Sequence, residues 1–131
     1  MNEQMPNLDA IIEVLARDVR IEAAYLLGSA VRNALRPDSD LDIAILPVNG
    51  YRFNDIERIE LAAILFPVAE RLVDIGIISS KNLVYAKEAL LTGNRIFARN
   101  QTAADEAVAN ILGMYAFFNE ERAEVLRAYS V

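Results

Sequence analysis

Only about a dozen residues separate the apolar run Ile21 to Leu27 from the next one, Asp40 to Leu46, and that gap limits how the chain can fold. A parallel crossover takes a dozen or more residues, usually as a helix with turns of its own. The interval holds Gly28, a stretch over residues 29–35 that reads as a brief helix starting at Ser29, and the turn Arg36-Pro37-Asp38-Ser39. The two runs are therefore expected to be antiparallel neighbours. Gly28 and Ser29, where the first strand ends, then lie beside Asp40 and Asp42, where the second begins.

The other elements follow from period and punctuation. Asn7 can cap a helix with Leu8, Ile11, Ile12 and Leu15 on its apolar stripe. Asn54 or Asp55 opens a second helix, with Ile56, Ile59, Leu61, Ala63 and Leu65 as its apolar positions, and Pro67 is expected to end or kink it. Leu72 to Ile78 reads as a third strand. Ser80 is expected to cap a helix running to Leu91, with Gly93 as its stop, and residues 95–98 read as a short extended piece. Thr102, with Asp105 three residues on, resembles a capping box that opens a long helix toward Tyr129. The expected class is α/β (α+β), a small mixed sheet of three or four strands with helices packed on it. At 131 residues it is read as one domain, 1–131, with the C-terminal helix 102–129 packing on it or on a partner.

Composition narrows the chemistry. The chain has no cysteine and no histidine, which removes thiol nucleophiles, Cys/His zinc sites, Ser-His-Asp triads and disulfides together. What remains is carboxylate, hydroxyl, Arg and Lys, a set that favours hard cations such as Mg²⁺. The net charge of −6 and scattered basic residues argue against direct nucleic-acid binding. The start lacks the pattern of a signal peptide and no apolar run is long enough for a membrane span, so a cytoplasmic protein is expected.

Asp40 and Asp42, two apart on a strand, leave the same face about 6.6 Å apart, while Leu41, Ile43 and Ile45 point into the core. Paired carboxylates repel and resist desolvation, and a divalent cation resolves both. By itself the pair also fits an Asx-rich turn followed by a strand-edge residue. Gly28 allows close backbone approach, and Ser29 would cap a helix whose amides can hold phosphate oxygens. Arg32, one turn further, could grip the same phosphates. Asp74 is a charge inside the apolar string Arg71-Leu72-Val73-Asp74-Ile75-Gly76-Ile77-Ile78. It either pairs with an arginine such as Arg71 or completes a three-carboxylate site and takes a proton from a nucleophile.

Gly28-Ser29, ten residues, then Asp40-Leu41-Asp42 matches the signature of the DNA polymerase beta nucleotidyltransferase superfamily. The string GSAVRNALRPDSDLDIAIL is especially similar to the minimal nucleotidyltransferases, whose antitoxin members pair with HEPN-domain toxins. The resemblance implies the nucleotidyltransferase fold, ATP as substrate, Mg²⁺, and transfer of AMP to a hydroxyl with release of pyrophosphate. It assigns Gly28 and Ser29 to the triphosphate, Asp40 and Asp42 to metal, and Asp74 to the third carboxylate and base. The implied acceptor is a tyrosine of a partner HEPN ribonuclease. Two alternatives stay open at this point. The chain could neutralise its partner by occlusion alone, or be the half-site of a small-molecule nucleotidyltransferase. On the last helix, Ala104, Val108, Ile111, Leu112, Tyr115 and Phe118 are expected to pack on the sheet, with Phe117 and its neighbours as a candidate partner or dimer surface.

Overall fold

The computed structural model describes residues 7–28 and 39–129. The expected short helix over 29–35, including Ser29 and Arg32, lies outside the described residues. Helix α1 (Leu8–Arg17) leads into β1 (Ile21–Leu26), and β2 (Leu41–Pro47) is followed by α2 (Asp55–Ala69) and β3 (Val73–Ile77). Then come α3 (Leu83–Thr92), β4 (Asn94–Ala98) and the long α4 (Gln101–Tyr129). The strands form a mixed sheet in the order β3-β2-β1-β4. As the short gap requires, β1 runs antiparallel to β2, and β4 is also antiparallel to β1. The longer connection through α2 makes β2 and β3 parallel.

Strand alternation gives the sheet two different faces. On one, Leu41, Ile43 and Ile45 of β2 pack with Ile75 of β3, with Ile11 and Leu15 of α1, and with Leu61, Leu65 and Ala69 of α2. On the other, Ala44 and Leu46 meet Ala86 and Ala89 of α3 and Ala104 and Ile111 of α4. A register shift between Ile21 and Ala23 changes the parity of β1. Ile21, Ala24 and Leu26 thereby join the first face, and Ala23 and Tyr25 the second.

Several ends differ from the sequence expectation. Asp40 precedes β2, which starts at Leu41. Pro67 sits inside α2, which runs on to Ala69. The proline has no N–H for the carbonyl of Ala63, four residues back, but both residues are exposed, so water can satisfy that carbonyl. The helix closes instead at Glu70, left-handed at φ 56°, whose N–H donates to Phe66 O. Asn54 and Glu57 form a reciprocal capping box at its start. Asn82, not Ser80, caps α3, and Asn100, whose Oδ1 accepts from the Ala103 N–H at 3.0 Å, stands where Thr102 was expected. Gly93 does end α3, but at φ −78°. A Cβ there would lie 2.4 Å from Ala89 O and 2.7 Å from Leu27 Cδ2, so close packing demands the glycine, not a left-handed turn.

Ion pairs and hydrogen bonds tie the elements together. Arg20 bridges Asp18 and Glu57 at 2.7 and 2.8 Å, linking the α1–β1 turn to α2. Arg99, just past β4, donates to the carbonyls of Ala16, Asp18 and Ile21.

Candidate active site

Asp42 sits on the α3/α4 face of β2, in register with Asp74 of β3. Leu41 N–H donates to Leu72 O at 2.9 Å, which helps set that alignment. On the other flank, Leu27 N–H donates to Asp42 O at 3.0 Å and brings Gly28 alongside. Gly28 has φ +65°, and a Cβ on it would lie 3.1 Å from Asp42 Oδ2. The glycine therefore meets two demands, a left-handed backbone and close approach to a carboxylate.

Asp40 and Asp74 are exposed, and Asp42 between them is half-buried. Burial holds the Asp42 carboxyl above its usual pKa, with the charges of Asp74 and then Asp40 adding to the effect. The Asp42 carboxyl thus feels the charge of both other acids. Among the described residues, no three acidic side chains converge tightly enough to make a ready ligand set. Gly28, Asp40, Asp42 and Asp74 occupy one end of the sheet; Ser29 and Arg32 are outside the described residues. Arg71, the alternative partner for Asp74, donates to Ser39 O at 3.4 Å.

Sequence reasoning did not single out Tyr85. It enters from α3 onto the same face, and its hydroxyl rests on Gly76, two residues beyond Asp74 on β3. Burial, then the charges of Asp74 and Asp42, push its pKa up to about 12, so the phenol stays protonated. The available signal was Gly76 itself. A glycine within an apolar strand marks the close approach of something else.

The mixed sheet thus sets two in-register aspartates, a third acid and a left-handed glycine at one end. The sequence model described as polymerase beta, nucleotidyltransferase, matches residues 9–102, and the chain belongs to that family. It is 27% identical over 124 residues to protein adenylyltransferase MntA of Shewanella oneidensis, covering 94% of this chain and 87% of that protein. Its fold matches a crystal structure of a toxin–antitoxin with AMP-PNP at a TM-score of 0.76 and 24% identity, over 95% of this chain and 99% of that one. It also matches a chain from the complex of a tri-AMPylated Shewanella oneidensis HEPN toxin with MNT antitoxin. There the TM-score is 0.70 and the identity 24%, over 95% of this chain and 97% of that one.

Proposed function

We propose that this chain is a protein adenylyltransferase that transfers AMP from ATP to a hydroxyl, a tyrosine, of a HEPN-domain toxin, and so acts as its antitoxin. The observation that carries the reading is the Asp42–Asp74 register pair beside Gly28, with the Asp42 carboxyl held above its usual pKa. The curated relative's name and the AMPylated toxin in the matched complex give the same chemistry and partner.

In this reading the acceptor oxygen forms a bond to the α-phosphorus of ATP. The bridging bond from the α-phosphorus to the β-phosphate oxygen breaks, and pyrophosphate leaves. Asp74, exposed at the edge of the pair, takes the acceptor's proton. The bare backbone at Gly28 leaves room for phosphate oxygens, and Ser29 and Arg32 are assigned to the same triphosphate. Asp40 and Asp42, with Asp74, would hold Mg²⁺; their oxygens suit a hard cation, and the charges that raise the Asp42 pKa are what such a cation would offset. When bound, Mg²⁺ supplies neutralisation of the charge on the phosphates and on the leaving pyrophosphate.

A second reading, neutralisation by occlusion, is favoured by one feature. The outer half of α4 exposes Met114, Phe117, Phe118, Val125, Leu126 and Tyr129, a surface suited to a protein partner. No helix among the described residues is long and apolar enough to cross a membrane. One experiment separates the two readings. A HEPN-domain toxin is incubated with this chain, ATP and Mg²⁺, and its intact mass is measured. Transfer predicts a gain of one or more adenylyl masses. A tight complex with no mass gain would overturn the enzymatic reading in favour of occlusion.

A further inference from the structure

Three strands place small and large residues in rows across the α3/α4 face. Tyr25 of β1 pairs with Ala44 of β2, and Ala44 pairs with Gly76 of β3. The next row holds Asp42 and Asp74, about 6.6 Å along the strands. Ala44 and Gly76 thus form a low floor immediately beside the carboxylates. Tyr85 lies over that floor. Its N–H donates to Oδ1 of the cap residue Asn82 at 3.4 Å, which fixes it in the first turn of α3. A Cβ built on Gly76 would fall 1.9 Å from Tyr85 Oη and 2.5 Å from Cζ, so any other residue at 76 would have to displace the phenol.

The same phenol borders an open groove of about 880 Å³ at the far end of the sheet. That groove is lined by Gly76, Ile78, Asn82 and Tyr85 and by Ala107 and Ile111 of α4, and its lining stops short of Asp42 and Asp74. Tyr85 therefore stands between the groove and the carboxylate pair. A phenol is protonated at neutral pH, so its hydroxyl is able to donate.

We propose that Tyr85 binds the acceptor hydroxyl and aims it at the α-phosphorus, an inference that rests on the adenylyl-transfer reading. A hydroxyl has one proton to donate and two lone pairs. In the arrangement proposed, its proton goes to Asp74 and one lone pair accepts from Tyr85 Oη–H. The second lone pair is left as the one that attacks phosphorus. Gly76 belongs to the same device, because its missing side chain is the seat of the Tyr85 hydroxyl.

The test uses a HEPN-domain toxin as acceptor, with ATP and Mg²⁺, and titrates acceptor and ATP separately for wild type, Tyr85→Phe and Gly76→Ala. Tyr85→Phe should lower kcat/KM for the acceptor roughly 5–10-fold, the effect of one lost hydrogen bond, and leave the KM for ATP unchanged. Gly76→Ala keeps the hydroxyl but displaces it, and should show the same acceptor-selective loss. An unchanged acceptor kcat/KM in Tyr85→Phe overturns the proposal. So does a matching rise in the KM for ATP, which is the mark of a structural role alone. If wild type transfers no AMP at all, the adenylyl-transfer reading itself fails and takes this inference with it.

Discussion

The two faces of the sheet use the same strands for opposite purposes. Against α1 and α2, β2 presents Leu41, Ile43 and Ile45, each fully buried among aliphatic neighbours. Against α3, it presents Asp42 and Ala44, and β3 presents Asp74 and Gly76. The first face is filled. The second is kept low, open and charged at one end, so a partner or substrate can enter there. Neighbouring residues on one strand can therefore serve stability and chemistry separately, and substitutions should separate the two as well.

The largest expected effect is on the open face. Asp42→Asn removes a carboxylate proposed to hold metal and should cut AMP transfer about 10³-fold or more while the fold persists, as read by intact mass and circular dichroism. Transfer surviving in that variant would break the division between faces. Leu65→Ala, on the filled face, should do the reverse. Leu65 is fully buried, and its truncation should cost about 3 kcal/mol in denaturant unfolding, with AMP transfer per folded molecule little changed.

Gly28→Ala tests the border between the faces. At φ +65° the alanine should cost about 1 kcal/mol, and its methyl, 3.1 Å from Asp42 Oδ2, should push that carboxylate and slow transfer roughly 10-fold. The smallest effect concerns pH. The fold favours protonated Asp42, so its penalty is absent below the ordinary pKa of 3.8 and sets in as pH rises through the elevated folded value. Without divalent cation, Asp42→Asn should therefore raise Tm at neutral pH, by no more than about 3 °C for a half-exposed group. The gain should vanish in acid. A constant Tm difference across that range would show that Asp42 is not strained by its neighbours.

Much of this arrangement was legible in the chain because it depends on local period and on length. The gap between Leu27 and Asp40 dictated antiparallel pairing, and the alternation from Leu41 to Ile45 separated core from carboxylates. Residues 95–98, expected only as a short extended piece, became β4 by pairing with β1, a partner far away in sequence. Helix ends were less legible. Ser80 and Thr102 look like caps, yet Asn82 and Asn100 do the capping, because packing against the sheet sets where each helix begins. On α2, Ile56 and Ile59 read as core positions and are 68% and 63% exposed, since the helix is apolar on more than one side and sequence cannot tell which side meets the sheet. Likewise Phe118 of α4 is 46% exposed although its spacing reads as packed.

The sequence by itself determined the strand carboxylates, their spacing, the glycine turn beside them and the family, because these are properties of neighbouring residues on one strand or turn. Only the tertiary structure decided that Asp74 stands level with Asp42 and that Tyr85 rests on Gly76. Those two facts depend on the register between strands and on where α3 docks. Both are set by long-range hydrogen bonding and side-chain packing, which no local pattern encodes.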